Sequence, residues 1–176
     1  MADIAIGLHG GCGALAHDLQ SAADWAESRE HMARALRAGW SVLRNGGKAL
    51  DAVQAAVVEM EDSPHFNAGH GAALTESSEH ELDASIMDGA TLAAGAVCTV
   101  RRTRNPVLAA RAVLDSGRAV LLSGVAADTF AELQGLAMVP NTWFTTQRRV
   151  DALRSLQQKE ATGSFVPASE AEKHGT

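Results

Sequence analysis

Residues 9–13 form a glycine-rich turn, HGGCG, close to the start of the 176-residue chain. Such a turn can offer backbone N–H groups to an anion, and its missing side chains let a reacting group approach the backbone. It lacks the spacing and the Lys-Ser/Thr pair of a phosphate-binding P-loop, and it does not match the dinucleotide-binding fingerprint. Two interpretations stay open: a turn that needs positive φ angles, or a backbone surface beside a reactive centre.

A second segment of interest is residues 63–75, SPHFNAGHGAALT. Proline and glycine break any helix here, so its backbone carbonyls lack the partners that a regular element would supply. Buried carbonyls need a partner, which can be a cation, a water molecule or a side-chain amide. The segment is therefore either a loop organised around such a group or a packed turn.

The chain contains side chains that could bind a metal or act as acids and bases, but they do not form a known sequence motif. Seven histidines are scattered along the chain: His9, His17, His31, His65, His70, His80 and His174. No HExxH or CxxC pattern accompanies them, and Cys12 and Cys98 do not have zinc-binding spacing, so we interpret the histidines as separate surface or loop residues. Glu81 and Asp83 share one face of a predicted strand and Asp88 follows in a turn; catalytic and structural roles both stay open for these carboxylates.

The pattern of apolar residues predicts the elements that must position these segments. Asn105 and Pro106 are typical of a helix start, and Gly117 of a helix end. In chain order, we predict a buried strand over residues 3–8, helices over 21–45 and 50–60, an antiparallel meander over 72–100, a helix over 106–116, a short buried strand over 119–124, and helices over 125–136 and 146–158.

This order of elements predicts a layered α+β fold in a single domain. The predicted strands are few, and they are apolar on both sides, which implies a sheet packed on both faces. We therefore expect the chain to hold only part of its own sheet.

Composition and charge exclude several classes of function. The formal net charge is −6, and the nearest thing to a basic patch is the run Arg101, Arg102 and Arg104, so nucleic acid and anionic membranes are poor partners. No apolar stretch approaches the length of a membrane span, and the first residues do not resemble a signal peptide. Two distant cysteines form no disulfide framework. We expect a cytoplasmic protein.

The motifs gain specificity when they are taken together and in order. HGGCG, SPHFNAGHGAALT, ELDASIMDG, AGAVCTVRRTRNPVLAAR and a final HGT follow one another along the chain. This series resembles the α-subunit of the plant-type L-asparaginases, also called isoaspartyl or β-aspartyl peptidases, which are N-terminal nucleophile (Ntn) hydrolases. The resemblance covers residues 3–176. It implies a four-layer αββα sandwich, to which residues 1–159 contribute the α-subunit portion and residues 160–176 a flexible linker.

The resemblance also implies a self-processing precursor. Cleavage would fall between Gly175 and Thr176, where glycine tolerates the strained backbone that the step needs. Thr176 would then be the catalytic nucleophile, because its freed α-amino group, with a pKa of about 7.7–8.0, can take the proton of its hydroxyl. While the bond to Gly175 is intact, that nitrogen is an amide and cannot act as a base.

Further site residues follow from the same resemblance. Asn67 would orient the nucleophile, directly or through water, and Gly10 and Gly11 would line the active site. Catalysis would need no cofactor. Oxygen-only coordination suits a hard cation, and the resemblance implies a structural Na⁺. Its ligands would be the backbone carbonyls of Met60, Glu61, Ser63, Phe66, Ala68 and His70.

The implied activity is hydrolysis of isoaspartyl dipeptides and L-asparagine. The implied partner is a β-subunit cut from the same precursor, in an (αβ)2 heterotetramer, and the residues that grip the substrate would lie in that β-subunit. One alternative is glycosylasparaginase, of the same fold, which cleaves sugar–asparagine links. The other is a non-catalytic metal-binding or scaffold protein.

Overall fold

The computed structural model describes residues 4–11 and 21–163 of the chain. Its helices and strands are numbered separately in chain order. They are α1 (Ala22–Arg44), α2 (Ala49–Glu61), β1 (Leu82–Met87), β2 (Ala94–Val100), α3 (Pro106–Ser116), β3 (Leu121–Ser123), α4 (Gly124–Leu133), a 3-10 helix (Asn141–Phe144) and α5 (Gln147–Ala161).

The five helices confirm the helical predictions. Helix α1 begins at a capping box, in which Ser21 and Asp24 satisfy each other's backbone N–H groups. Helix α5 runs to Ala161, just past the predicted start of the linker at residue 160, and the rest of that segment from residue 164 lies outside the described residues. Within the described residues, no helix is long and apolar enough to cross a membrane.

Helix α3 has the predicted ends but not the predicted cap. Gly117 ends it in the left-handed conformation with φ of 62°, and Pro106 stands in its first turn after Asn105. The side chain of Asn105 makes no capping hydrogen bond. Instead, the N–H of Val107 donates to Oε1 of Glu61 at 2.9 Å, so the end of α2 caps the start of α3.

Among the described residues, the sheet has three strands in the order β1-β2-β3. Strands β1 and β2 are antiparallel, as predicted, and β3 pairs with β2 in parallel. The predicted burial of β3 is wrong, because the strand lies at the edge of this sheet and Leu121 is 55% exposed. Residues 72–75 form no strand.

The predicted buried strand at the N-terminus is also not observed. Residues 4–9 have no regular structure, and Ile4 is 41% exposed. A strand is stabilised by the hydrogen bonds of a neighbouring strand, and no strand among the described residues pairs with this segment.

A bulge in β2 gives a structural role to Asp83, one of the carboxylates whose role the sequence left open. Leu82 pairs with Val100 and Ala84 with Val97, so an advance of two residues along β1 is matched by three residues along β2. The bulge contains Thr99, whose positive φ of 52° is uncommon for a β-branched residue. Its N–H donates to Oδ1 of Asp83 at 2.7 Å, which gives Asp83 a structural role.

Helices cover one face of the sheet. Helix α3 packs against this face of β1 and β2, and helix α4 packs against β2 and β3. Their shared core consists of small and branched side chains: Leu82, Ile86, Val97, Val100, Ala109, Ala110, Val113, Ala127 and Ala131. Arg111 joins α3 to α2, since its Nη1 lies 2.7 Å from Oδ1 of Asp51. The opposite face bears exposed residues, including Ser85, Met87 and Leu121.

Gly95 allows the close approach of α3 to β2. A Cβ atom at this buried position would overlap the carbonyl oxygen of Ala110 and the backbone nitrogen of Leu114. Backbone atoms inside a packed helix cannot move aside as a side chain can, so helix α3 would have to shift away from the sheet.

We therefore predict that Gly95→Ala lowers the free energy of unfolding by about 1–3 kcal/mol or more, because it overpacks this contact. Gly89→Ala is the matched control, since a Cβ there has no atom within 4 Å. Urea unfolding of both variants measures the difference. Equal midpoints for the two would show that the contact does not need glycine.

Candidate functional site

The segment after α2 folds back over the end of that helix. The N–H of Ser63 donates to the carbonyl of Met60 at 3.1 Å, and the N–H of His70 donates to the carbonyl of Glu61 at 2.6 Å. This loop and the last two residues of α2 hold the residues predicted to bind the cation, and the loop also holds Asn67. We call residues 62–75 the FNAGHG loop.

Two glycines allow the FNAGHG loop to close. Gly69 and Gly71 have positive φ angles of 48° and 120°, which few other residues adopt. A Cβ on Gly69 would overlap the carbonyl of Glu61. A Cβ on Gly71 would stand 2.8 Å from the carbonyl oxygen of Pro64 and 3.0 Å from that of Phe66. Carbonyl oxygens therefore crowd around these two positions.

The predicted ligand carbonyls differ in how they are satisfied. Those of Met60 and Glu61 accept hydrogen bonds from the FNAGHG loop. Within the described part of the chain, no N–H donates to the other four, which are the carbonyls of Ser63, Phe66, Ala68 and His70. Carbonyl oxygens that lack other partners can bind a hard cation, and the oxygens of Glu61, Pro64 and Phe66 lie within 3.0 Å of the Cβ positions at Gly69 or Gly71, so this loop is compatible with such an ion. Among the same residues no cluster of three or more His, Cys, Asp or Glu side chains could hold a metal.

Asn67 lies in the middle of the FNAGHG loop and is half-buried. Its Oδ1 accepts a hydrogen bond from the N–H of Ala73 at 2.7 Å. This bond distinguishes the two ends of the amide, so that Nδ2 is the end that can donate elsewhere.

The described part of the glycine-rich turn, residues 9–11, packs against the same loop. Gly11 has a positive φ of 134°, so the turn does need a conformation that favours glycine. A Cβ on Gly10 would lie 2.7 Å from the methyl group of Met32 and 2.9 Å from the ring of Phe66. The turn thus lies beside Phe66, the neighbour of Asn67, although the two motifs are far apart in the sequence.

A segment near the end of the described chain holds the FNAGHG loop from its other side. The N–H of Gly71 donates to the carbonyl of Phe144 at 3.0 Å, and Nδ1 of His70 donates to the carbonyl of Trp143 at 2.8 Å. Nε of Arg149 donates to the carbonyl of Gly71 at 2.5 Å. We call residues 141–149 the clamp segment.

His80 contributes to this arrangement in a way that the sequence did not indicate. It lies in the loop before β1, but it is fully buried, with 0% exposure. Its Nδ1 is 3.2 Å from the carbonyl oxygen of Ala73, and its Nε2 is 2.9 Å from Oγ1 of Thr145.

Asp88, for which the sequence left catalytic and structural roles open, has a structural role. Its carboxylate accepts the N–H of Ala90 in a turn at 2.9 Å.

Glu61 has an unusual carboxyl group. It is only 3% exposed, and although Oε1 caps α3, Oε2 has no hydrogen-bond partner among the described residues. Burial raises its pKa to about 8, because the charged form is poorly solvated there. The backbone and side chain of this one residue therefore contact the FNAGHG loop and helix α3, respectively.

Comparison with known proteins identifies the family. A family model described as asparaginase matches residues 2–176. The chain belongs to the asparaginase family. This confirms the resemblance drawn from the motifs, and the mixed helix and strand content of the structure is consistent with it. Gly175 and Thr176 lie outside the described residues, and the roles of Asn67, Gly10 and Gly11 stay predictions.

Curated relatives in the family carry related names. The chain is 39% identical over 179 residues to an isoaspartyl peptidase of Escherichia coli strain K12, an alignment that covers 100% of this chain and 56% of the relative. It is 40% identical over 139 residues to a human isoaspartyl peptidase/L-asparaginase, covering 79% of this chain and 44% of that protein. The chain spans about half the length of the curated relatives it matches.

The raised pKa of Glu61 predicts a pH-dependent stability. The folded protein keeps this proton to a higher pH than the unfolded chain, whose carboxyl has a pKa of 4.5. The contribution to unfolding free energy is therefore complete below pH 4.5 and is lost as the pH rises through about 8, with a slope of at most about 1.4 kcal/mol per pH unit. Glu61→Gln, which cannot ionise, should gain stability relative to the wild type between pH 5 and pH 9.

Urea unfolding at several pH values and constant salt measures this gain. Glu59→Gln, on the exposed side of the same helix beside Arg34, is the control and should show no such trend. A constant difference between wild type and Glu61→Gln across the range would contradict the prediction.

Proposed function

We propose that this chain is the α-subunit of an Ntn hydrolase that cleaves β-aspartyl amide bonds in isoaspartyl dipeptides and L-asparagine. The names of its relatives support the substrate class. The observation that carries the proposal is the contact between two motifs distant in the sequence, where Gly10 of the glycine-rich turn meets Phe66 of the FNAGHG loop, next to Asn67. If the FNAGHG loop had only a structural role, it would not require a contact with the distant glycine-rich turn.

In the proposed reaction, the hydroxyl of Thr176 attacks the side-chain amide carbonyl of the substrate. Its proton passes to the α-amino group of the same residue, and from there to the departing amine or ammonia. The resulting acyl-enzyme is an ester, which water hydrolyses to aspartate and free Thr176. The amide of Asn67, held by Ala73, orients the nucleophile in this scheme.

The open face of the sheet supports a two-subunit organisation. Met87 and Leu121 lie 53% and 55% exposed on the face that the helices leave uncovered. A second sheet from a β-subunit would bury them and complete four layers, with α-helices outside both sheets. Residues that follow Thr176 in a longer precursor would supply that sheet, and two such pairs would form the (αβ)2 heterotetramer. The cytoplasmic location stays a prediction from the sequence.

The proposal includes a structural Na⁺ in the FNAGHG loop. Two observations support it: the carbonyls crowded around Gly69 and Gly71, and the four predicted ligand carbonyls to which no N–H of the described residues donates. The ion would be held by the backbone carbonyls of Met60, Glu61, Ser63, Phe66, Ala68 and His70. It would act electrostatically there, by offsetting the repulsion between neighbouring carbonyl oxygens. It would stabilise the loop that carries Asn67.

Thr176 provides the test of the proposed function. In the full-length protein, Thr176→Ala should abolish both self-cleavage and hydrolysis of a β-aspartyl dipeptide, because no hydroxyl remains. Thr176→Ser is the matched control and should still cleave, since it keeps the hydroxyl. Intact-mass analysis should show two chains for the wild type, one of them beginning at Thr176. Self-cleavage by the alanine variant would refute the proposal.

Sodium binding predicts a salt-specific stability. At constant ionic strength, NaCl should raise the thermal midpoint above that in choline chloride, by an amount equivalent to about 2.7 kcal/mol when the ion is at 100 times its Kd. Gly71→Ala should lose this difference, because its Cβ would crowd the carbonyls of Pro64 and Phe66.

The control for this experiment is Gly46→Ala. Gly46 also has a positive φ, of 79°, but a Cβ there has no atom within 4 Å. It should therefore carry the same kind of backbone strain and keep the sodium effect. If the two salts give the wild type the same midpoint, the loop holds no sodium ion.

A further inference from the structure

We propose that His80 is a positioning residue for Asn67 and acts through the backbone of Ala73. The inference rests on the proposed function, because it is the place of Asn67 beside the nucleophile that gives the connection a catalytic meaning. His80 itself is fully buried and touches no substrate.

The first link of the connection fixes the amide of Asn67. Its Oδ1 accepts the N–H of Ala73 at 2.7 Å. An asparagine amide can rotate by half a turn and exchange its donor and acceptor ends, at little steric cost. The bond from the N–H of Ala73 therefore favours one of the two orientations of the Asn67 amide.

The second link fixes Ala73. The carbonyl oxygen of this residue lies 3.2 Å from Nδ1 of His80. A carbonyl can only accept, so Nδ1 must carry the hydrogen. In neutral histidine Nε2 is then the acceptor, and it receives the hydroxyl hydrogen of Thr145 at 2.9 Å. One tautomer thus satisfies both contacts, and Ala73 is held at its N–H by Asn67 and at its carbonyl by His80.

The third link fixes His80 to the clamp segment. The N–H of His80 donates to Oδ1 of Asn141 at 2.9 Å, and Nδ2 of Asn141 donates to the carbonyl of His80, also at 2.9 Å. The ring of Phe144 packs edge-on against the imidazole, with ring centroids 6.0 Å apart. The backbone and the ring of His80 are both anchored by the clamp segment. The imidazole is therefore fixed independently of Ala73 and can restrict the position of the Ala73 carbonyl.

The protonation state of His80 is consistent with this role. Burial lowers its pKa below the usual 6.5, because the charged ring would be poorly solvated. The neutral ring therefore persists through the pH range in which a freed α-amino group can act as a base. A neutral ring is the form that donates from Nδ1 and accepts at Nε2.

Two conservative substitutions separate a positioning role from a packing role. The side-chain amide of asparagine places an N–H near the Nδ1 position of histidine, whereas that of glutamine reaches the Nε2 position. His80→Asn therefore keeps the bond to Ala73 and loses the one to Thr145. His80→Gln keeps the bond to Thr145 and loses the one to Ala73. Asparagine is the smaller of the two replacements and leaves the larger cavity, so a role in packing alone predicts the greater loss from His80→Asn.

The experiment measures kcat and KM on a β-aspartyl dipeptide for full-length wild type and both variants, with urea unfolding alongside. We expect His80→Gln to lower kcat by about tenfold to a hundredfold with little change in KM, because a misplaced orienting group affects the reaction step. His80→Asn should retain kcat within about threefold of the wild type, in line with its surviving bond to Ala73. Equal losses of kcat in the two variants would overturn the inference.

Thr145→Val leaves His80 unchanged, so it can contradict the inference even if His80→Gln does not fold. Like His80→Asn, it removes only the bond at Nε2, so both should retain kcat within about threefold. A tenfold loss in either would overturn the proposal.

The outcome is distinct from failure of the proposed function. If the wild type neither cleaves itself nor hydrolyses the dipeptide, the proposed function fails and the inference falls with it. If the wild type is active and Thr176→Ala is not, the proposed function stands, and the comparison of His80→Asn with His80→Gln decides the role of His80 alone.

Discussion

The crowding of backbone carbonyls at the end of helix α2 is the constraint on which the site depends. The carbonyl of Glu61 accepts the N–H of His70 and leaves no room for a side chain at Gly69, so this closure of the loop requires glycine there. The carboxyl of the same residue caps α3 through Val107. Because α3 packs on the sheet, the position of the loop is tied to the core and does not depend on local turn preferences alone.

The loop is held on both of its sides by residues from distant parts of the chain. The end of α2 contacts it on one side and the clamp segment on the other, through Phe144, Trp143 and Arg149. Such an arrangement suits a group that must orient a reacting atom, because rigidity comes from several weak bonds acting together. The buried imidazole of His80 belongs to the same set of contacts.

Local patterns in the sequence predicted the helices and strands whose formation depends on residues close together in the chain. Helices α1, α2 and α3 follow from apolar spacing and end residues such as Gly117, and the antiparallel pair follows from strand alternation. Contacts that join distant residues were not predictable in this way. His80 meets Asn141 and Thr145 at separations of 61 and 65 residues, so no local pattern indicated its burial. The N-terminal segment failed as a strand because strand formation depends on a neighbour, which periodicity does not reveal.

The uncovered face of the sheet has a consequence for how a two-subunit enzyme can be made. A half that carries Met87 and Leu121 in the open would be prone to associate with the wrong surface during synthesis. In the two-subunit organisation proposed above, a single precursor would supply both halves in equal number and keep each at a high effective concentration near the other. The covalent connection would then favour correct pairing of the halves during folding, and cleavage after folding would cost the assembly little.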